Sequence, residues 1–126
     1  MNPTLRRPSF EDIPIDQSAS ISSGGNSDLY TFVVPAGCYA ELVSFGNDID
    51  TPAAWGQVYW RFLRDGLPLT QEGLDAIYDQ MGYAAQRQRI YPAKFMGGSK
   101  MTVRAYNNYS GSVEMLVSLL FRLYYR

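Results

Sequence analysis

Val113-Glu114-Met115-Leu116-Val117-Ser118-Leu119-Leu120-Phe121-Arg122-Leu123 is the stretch that decides the fold class. Val113, Met115, Val117, Leu119, Phe121 and Leu123 recur at every second position. A period of two belongs to a β-strand, whose side chains alternate between faces. The opposite face is not purely polar, because it carries Leu116, Leu120 and Tyr124. A strand that is apolar on both faces is covered on both. In a small sandwich the outer cover is often a partner subunit, so Leu116, Leu120 and Tyr124 are candidate partner contacts.

The same alternation recurs upstream. Met101, Val103 and Ala105 alternate with Lys100, Thr102 and Arg104, and Asn107–Gly111 has the composition of a hairpin loop. Val58, Trp60 and Phe62 oppose Gln57, Tyr59, Arg61 and Leu63. Asp65-Gly66 follows directly, a dipeptide suited to a tight hairpin. Pro68 confines the returning strand to an edge or an end. Tyr30, Phe32 and Val34 form another alternating set before a Pro35-Ala36-Gly37 turn. Tyr39–Phe45 and Gln88–Pro92 read as strands, and Gly46–Ala54 as a loop. Leu74, Ile77, Tyr78 and Met81 have helical spacing, so residues 70–82 predict a short helix or an irregular loop. Seven or eight short strands separated by turns fit an all-β, antiparallel, jelly-roll-like β-sandwich.

Residues 1–27 differ in composition. Pro3, Pro8 and Pro14 precede the run QSASISSGGNS. The expected division is an extended N-terminal arm over 1–27 and a β-sandwich domain over 28–126. Such an arm docks on a neighbouring subunit or is a solvated tail. In the docked reading Phe10, Ile13 and Ile15 are the anchors, and Arg6 and Arg7 meet acidic groups. Ser18–Ser22 also suits a strand added at a sheet edge. Loss of residues 1–16 is expected to spare the sandwich.

Composition narrows the function. The 126 residues are 46% hydrophobic, enough for one packed domain. The formal net charge of −1 gives no broad attraction for nucleic acid. The single cysteine, Cys38, cannot form an internal disulfide and suits a small buried position. No apolar stretch reads as a signal sequence or a membrane-spanning helix, so a soluble protein made in a cytoplasm is expected.

The chain has no histidine. That removes the Ser-His-Asp triad, Cys-His activation and histidine-liganded metal sites. Gly97-Gly98-Ser99-Lys100 is a turn, not a phosphate loop. Asp48 and Asp50 offer paired oxygen ligands for calcium, without the rest of a calcium-loop pattern. Glu72, Asp75 and Asp79 suit a solvated helix face better than a glycosidase pair. No catalytic residue and no cofactor are expected. Trp55, Tyr59, Tyr106 and Tyr109 have two readings: a sugar-stacking platform, or interface anchors.

Tyr30-Thr31-Phe32-Val33-Val34-Pro35-Ala36-Gly37 resembles the strand-and-turn entry of many tailed-phage virion proteins. Trp55 to Phe62 followed by Asp65-Gly66-Leu67-Pro68-Leu69 is similar to their central strand and hairpin, and Gly98 to Asn107 plus the last strand to their closing hairpin. The resemblance spans about residues 28–126 and rests on short turn motifs. It implies a small β-sandwich head protein of the decoration or cement type, often a homotrimer, binding the major capsid protein on the capsid surface. The alternative is a carbohydrate- or receptor-binding module of a tail or neck. Neither implies contact with nucleic acid or membrane.

Overall fold

The computed structural model describes residues 9–68, 77–78 and 88–125. Among them nine strands occur: β1 Phe10–Ile21, β2 Asn26–Val33, β3 Cys38–Ile49, β4 Val58–Arg64, β5 Leu67–Pro68, β6 Ile77–Tyr78, β7 Gln88–Met96, β8 Lys100–Asn107 and β9 Val113–Tyr125. A 3-10 turn spans Pro52–Ala54, and the described residues hold no α-helix. One sheet has the order β1-β9-β3-β7. The other has the order β2-β8-β4-β5, with β6 also paired to β4. Every pairing is antiparallel. From β1 to β4, and again from β7 to β9, each connection crosses to the other sheet. This is the winding of a jelly-roll sandwich.

Burial follows the expected alternation. Val113, Met115, Val117, Leu119, Phe121 and Leu123 all face the core from β9. Val58, Trp60 and Phe62 meet them from β4. Phe45 of β3 packs edge-on against Trp60 at 6.3 Å and Phe62 at 5.0 Å between ring centroids. Phe32 of β2 stacks on Phe121 of β9 at 5.6 Å. These pairs join the two sheets, and each adds about 0.5–1.5 kcal/mol beyond the area it buries.

The turns form where their residues require them. Asp65 and Gly66 both have positive φ, 51° and 84°, as a tight two-residue hairpin demands. The Asp65 carboxylate accepts the Lys100 N–H at 2.8 Å and ties this hairpin to β8. Gly37 has φ of 82°, and the Cys38 N–H donates to the Pro35 carbonyl to close that turn.

Three expectations change. Residues 10–21, placed in an arm outside the domain, form β1 and pair with β9 from Phe10↔Tyr124 to Ile21↔Val113. Ile21 is buried, and Ile13, Ile15 and Ala19 pack on the core. Removing residues 1–16 would therefore strip half of an integral strand. The Ser- and Pro-rich composition hid it because the strand lies at a sheet edge and buries only one face. The Tyr125 N–H donates to the Ser9 carbonyl at 2.9 Å, so odd-numbered β1 residues bond to β9 and even-numbered ones face the open edge. Pro14 is even-numbered, so its missing N–H costs the ladder nothing.

The loop read over Gly46–Ala54 is strand as far as Ile49, because β9 offers partners down to Met115. Tertiary pairing overrides local turn propensity there. In the stretch expected to be helical, Ile77–Tyr78 is a short strand opposite Tyr59 and Trp60. The rest of that stretch lies outside the described residues. No described helix is long and apolar enough to cross a membrane.

Candidate functional site

The outward side chains of β9 are the even-numbered ones, and the pairing register sets what stands beside each. Phe10, Tyr124 and Tyr39 form one row across β1, β9 and β3. Tyr39 and Tyr124 stack at 4.6 Å and 12°, and Phe10 lies 5.8 Å from Tyr124. The next row is Asp12, Arg122, Glu41 and Lys94, alternating in sign across the sheet. Arg122 grips Asp12 with two nitrogens, at 2.7 and 3.2 Å. Its guanidinium lies 4.7 Å from the Phe10 ring centre, and the Lys94 ammonium lies 5.5 Å from that of Tyr39. The Tyr124 hydroxyl donates to Glu41 at 3.3 Å. The Arg122 hydrogen bond holds the Asp12 carboxyl below its ordinary value, and Asp12 in turn raises Arg122.

Below these rows leucines alternate with short polar side chains along β9. Leu120 stands beside Pro14, Ser118 beside Asp16 and Gly46, and Leu116 beside Ser18 and Asp48. The Ser118 hydroxyl donates to Asp16 at 2.6 Å. Asp16, Ser18, Leu116 and Ser118 help line a shallow hollow of about 340 Å³.

Of the sequence-predicted partner residues, Phe10, Leu116, Leu120 and Tyr124 therefore share one outer face. Ile13 and Ile15 do not join them. They point inward from β1 and anchor that strand to its own sandwich. Arg6 and Arg7 lie outside the described residues. Asp12, Glu41, Lys94 and Tyr39 were not singled out from the sequence, and Arg122 was read only as a solvated or ion-paired arginine. Only the strand register brings them together, and no local motif encodes it.

The remaining candidates are occupied locally. Asp48 accepts the Ile49 N–H at 2.8 Å. Asp50 accepts the Thr51 hydroxyl at 2.8 Å and the Glu114 N–H at 3.0 Å. These bonds, the one from Thr51 first, lower the Asp50 carboxyl. No group of three or more potential metal ligands occurs among the described residues. Cys38 is half-buried with a free thiol.

The four aromatics of the proposed platform divide. Trp55 leans on Trp60 at 6.3 Å, and Trp55 and Tyr109 pack against the core. Tyr59 and Tyr106 stand as cross-strand neighbours on the outer face of the second sheet. Their rings are parallel within 4° with centroids 4.6 Å apart. That separation is about the strand spacing of ~4.8 Å, so each ring covers one face of the other.

No family of known proteins matches the sequence, and no curated protein matches it at a significant level. Three solved structures are similar over most of both chains. A subunit of Bacillus endospore appendages, a family of disulfide-linked pili, is 10% identical with a TM-score of 0.50, and the match covers 100% of both chains. A chain from the acid-stable capsid of Helicobacter pylori bacteriophage KHP30 is 10% identical over 90% of this chain and 92% of the other, with a TM-score of 0.49. The periplasmic inhibitor of g-type lysozyme from Aeromonas hydrophila is 13% identical over 84% of this chain and 85% of its own, with a TM-score of 0.40. At 10% identity and a TM-score of 0.50 the likeness to the appendage subunit is one of fold, and function has to be argued from the surface.

Proposed function

We propose that the chain is a structural protein of a phage virion: a decoration or cement protein, assembled in the host cytoplasm, that binds the major capsid protein on the capsid surface and acts as a homotrimer. The observation that carries the reading is the outer face of the first sheet. Its four strands span about 15 Å, and its longest run about 40 Å, from spacings of ~4.8 Å and ~3.3 Å. That gives about 600 Å² of nearly flat surface, close to the ~800 Å² each partner gives to a standard interface. Tyr, Phe and Arg concentrate there beside half-buried Leu side chains, and Tyr and Arg are enriched in interface hot spots. Symmetric shells reuse one such contact many times. The sequence resemblance to small head proteins points the same way.

The glycan-binding alternative fits the geometry less well. A sugar ring stacks on an exposed aromatic face, whereas Tyr59 and Tyr106 each turn one face to the other. Trp55 and Tyr109 are spent on the core.

Mass spectrometry of purified particles from the phage that encodes this chain tests the proposal. It should find the protein in fixed ratio to the major capsid protein. Its absence from the particles would overturn the reading.

A further inference from the structure

Two arginines meet on the outer face of the second sheet. Arg61 of β4 and Arg104 of β8 are directly opposite one another. Like charges in that position repel. Arg104 is answered from its other side by Asp28 of β2, with Nε 2.6 Å from the carboxylate. Arg61 has no acid beside it among the described residues. Its guanidinium instead lies 5.9 Å and 5.7 Å from the ring centres of Tyr59 and Tyr106. Its Nε is sealed from solvent with no hydrogen-bond acceptor. The terminal nitrogens are not sealed. The two tyrosines thus stand beside a partly desolvated guanidinium.

This arrangement is costly in the isolated chain. A desolvated donor without an acceptor forfeits a hydrogen bond to water, and the two ring contacts offset only part of that loss. The terminal nitrogens can still take a planar anion, because guanidinium and carboxylate match in a two-point fork. Tyrosine rings and hydroxyls around that fork exclude water and supply further contacts.

We infer that Arg61, framed by Tyr59 and Tyr106, is the receptor for a carboxylate of an acidic segment on a neighbouring virion protein. A protein carboxylate is favoured over an acidic sugar because Tyr59 and Tyr106 each spend one ring face on the other. The inference rests on the reading of the chain as a virion component and adds to it a second contact face, opposite the first.

The test is cosedimentation of the purified full-length protein with particles that lack it. Arg61→Ala, Arg61→Glu and Arg61→Lys are compared with the unaltered chain, and thermal melts confirm that each variant is folded. Arg61→Ala should bind at least tenfold more weakly, and Arg61→Glu more weakly still. Arg61→Lys should recover only part of the affinity, because an ammonium lacks the fork. Added salt should weaken the unaltered chain more than Arg61→Ala. Binding of Arg61→Ala within twofold of the unaltered chain would overturn the inference and leave the virion reading intact. If the unaltered chain binds no particles, the virion reading itself fails. Arg61-dependent capture of the unaltered chain on a sialyllactose-coated surface, with Arg61-independent binding to particles, would overturn the inference in favour of an acidic glycan.

Discussion

Arg122 on β9 holds Asp12 on β1 through a two-point ion pair, Nε to Oδ1 at 2.7 Å and Nη2 to Oδ2 at 3.2 Å. The contact joins residues far apart in sequence and fastens the edge strand to the sheet. It also makes that fastening sensitive to acid. The hydrogen bond from Arg122 lowers the Asp12 carboxyl below its ordinary 3.8. A depressed carboxyl stabilises the fold above its unfolded value, and this stabilisation disappears as pH falls through the folded value. The thermal midpoint should therefore decline below about pH 4, and Asp12→Asn should remove part of that decline. An identical acid limb in Asp12→Asn would show that this pair does not couple to folding.

Deletion of residues 1–21 should unfold the domain at room temperature, or leave a collapsed chain without a cooperative melt. The deletion removes β1 and with it the buried Ile21 and the packing of Ile13 and Ile15. Truncating one buried isoleucine alone costs about 2–5 kcal/mol. Total stabilities are only about 5–15 kcal/mol. Circular dichroism of the truncated chain decides the point. A cooperative melt near that of the full chain would restore the picture of a separable arm.

Phe45→Ala should be among the most damaging single changes. Phe45 is fully buried and meets both Trp60 and Phe62 edge-on between the sheets. A loss of about 3–5 kcal/mol is expected in urea unfolding. A loss below about 1 kcal/mol would mean the core relaxes into the gap.

Asn47→Leu should stabilise the protein. Asn47 is 0% exposed on β3, and neither amide atom of its side chain has a hydrogen-bond partner. Asn107 shows the contrast. It is equally buried, yet its amide donates to the Ile21 and Gly111 carbonyls and accepts the Tyr109 N–H. An unsatisfied buried amide costs about 1–3 kcal/mol, so the apolar replacement should gain about 1 kcal/mol. Equilibrium unfolding measures it, and destabilisation by Asn47→Leu would reveal a role for the amide.

Much of this fold was legible in the sequence because its strands obey a strict period of two. Val113 to Leu123 and Val58 to Phe62 fell on the faces that their alternation required. β1 was less legible, since an edge strand buries one side only and Pro14 is tolerated at its open edge. The candidate surface was half legible. Leu116, Leu120 and Tyr124 betrayed an apolar outer face, but Asp12, Glu41, Lys94 and Arg122 align only through strand register. Register is a property of the folded pair, not of either segment alone.

The central claim is that the outer face of the first sheet cements a capsid, and heat-driven genome release from particles tests it most directly. Particles lacking the chain should release their genome at a lower temperature than complete ones. The unaltered protein should restore the higher temperature, and a Leu116→Glu/Leu120→Glu variant, altered only on that face, should not. Particles that keep their genome equally well without the chain, or full restoration by the double variant, would contradict the account.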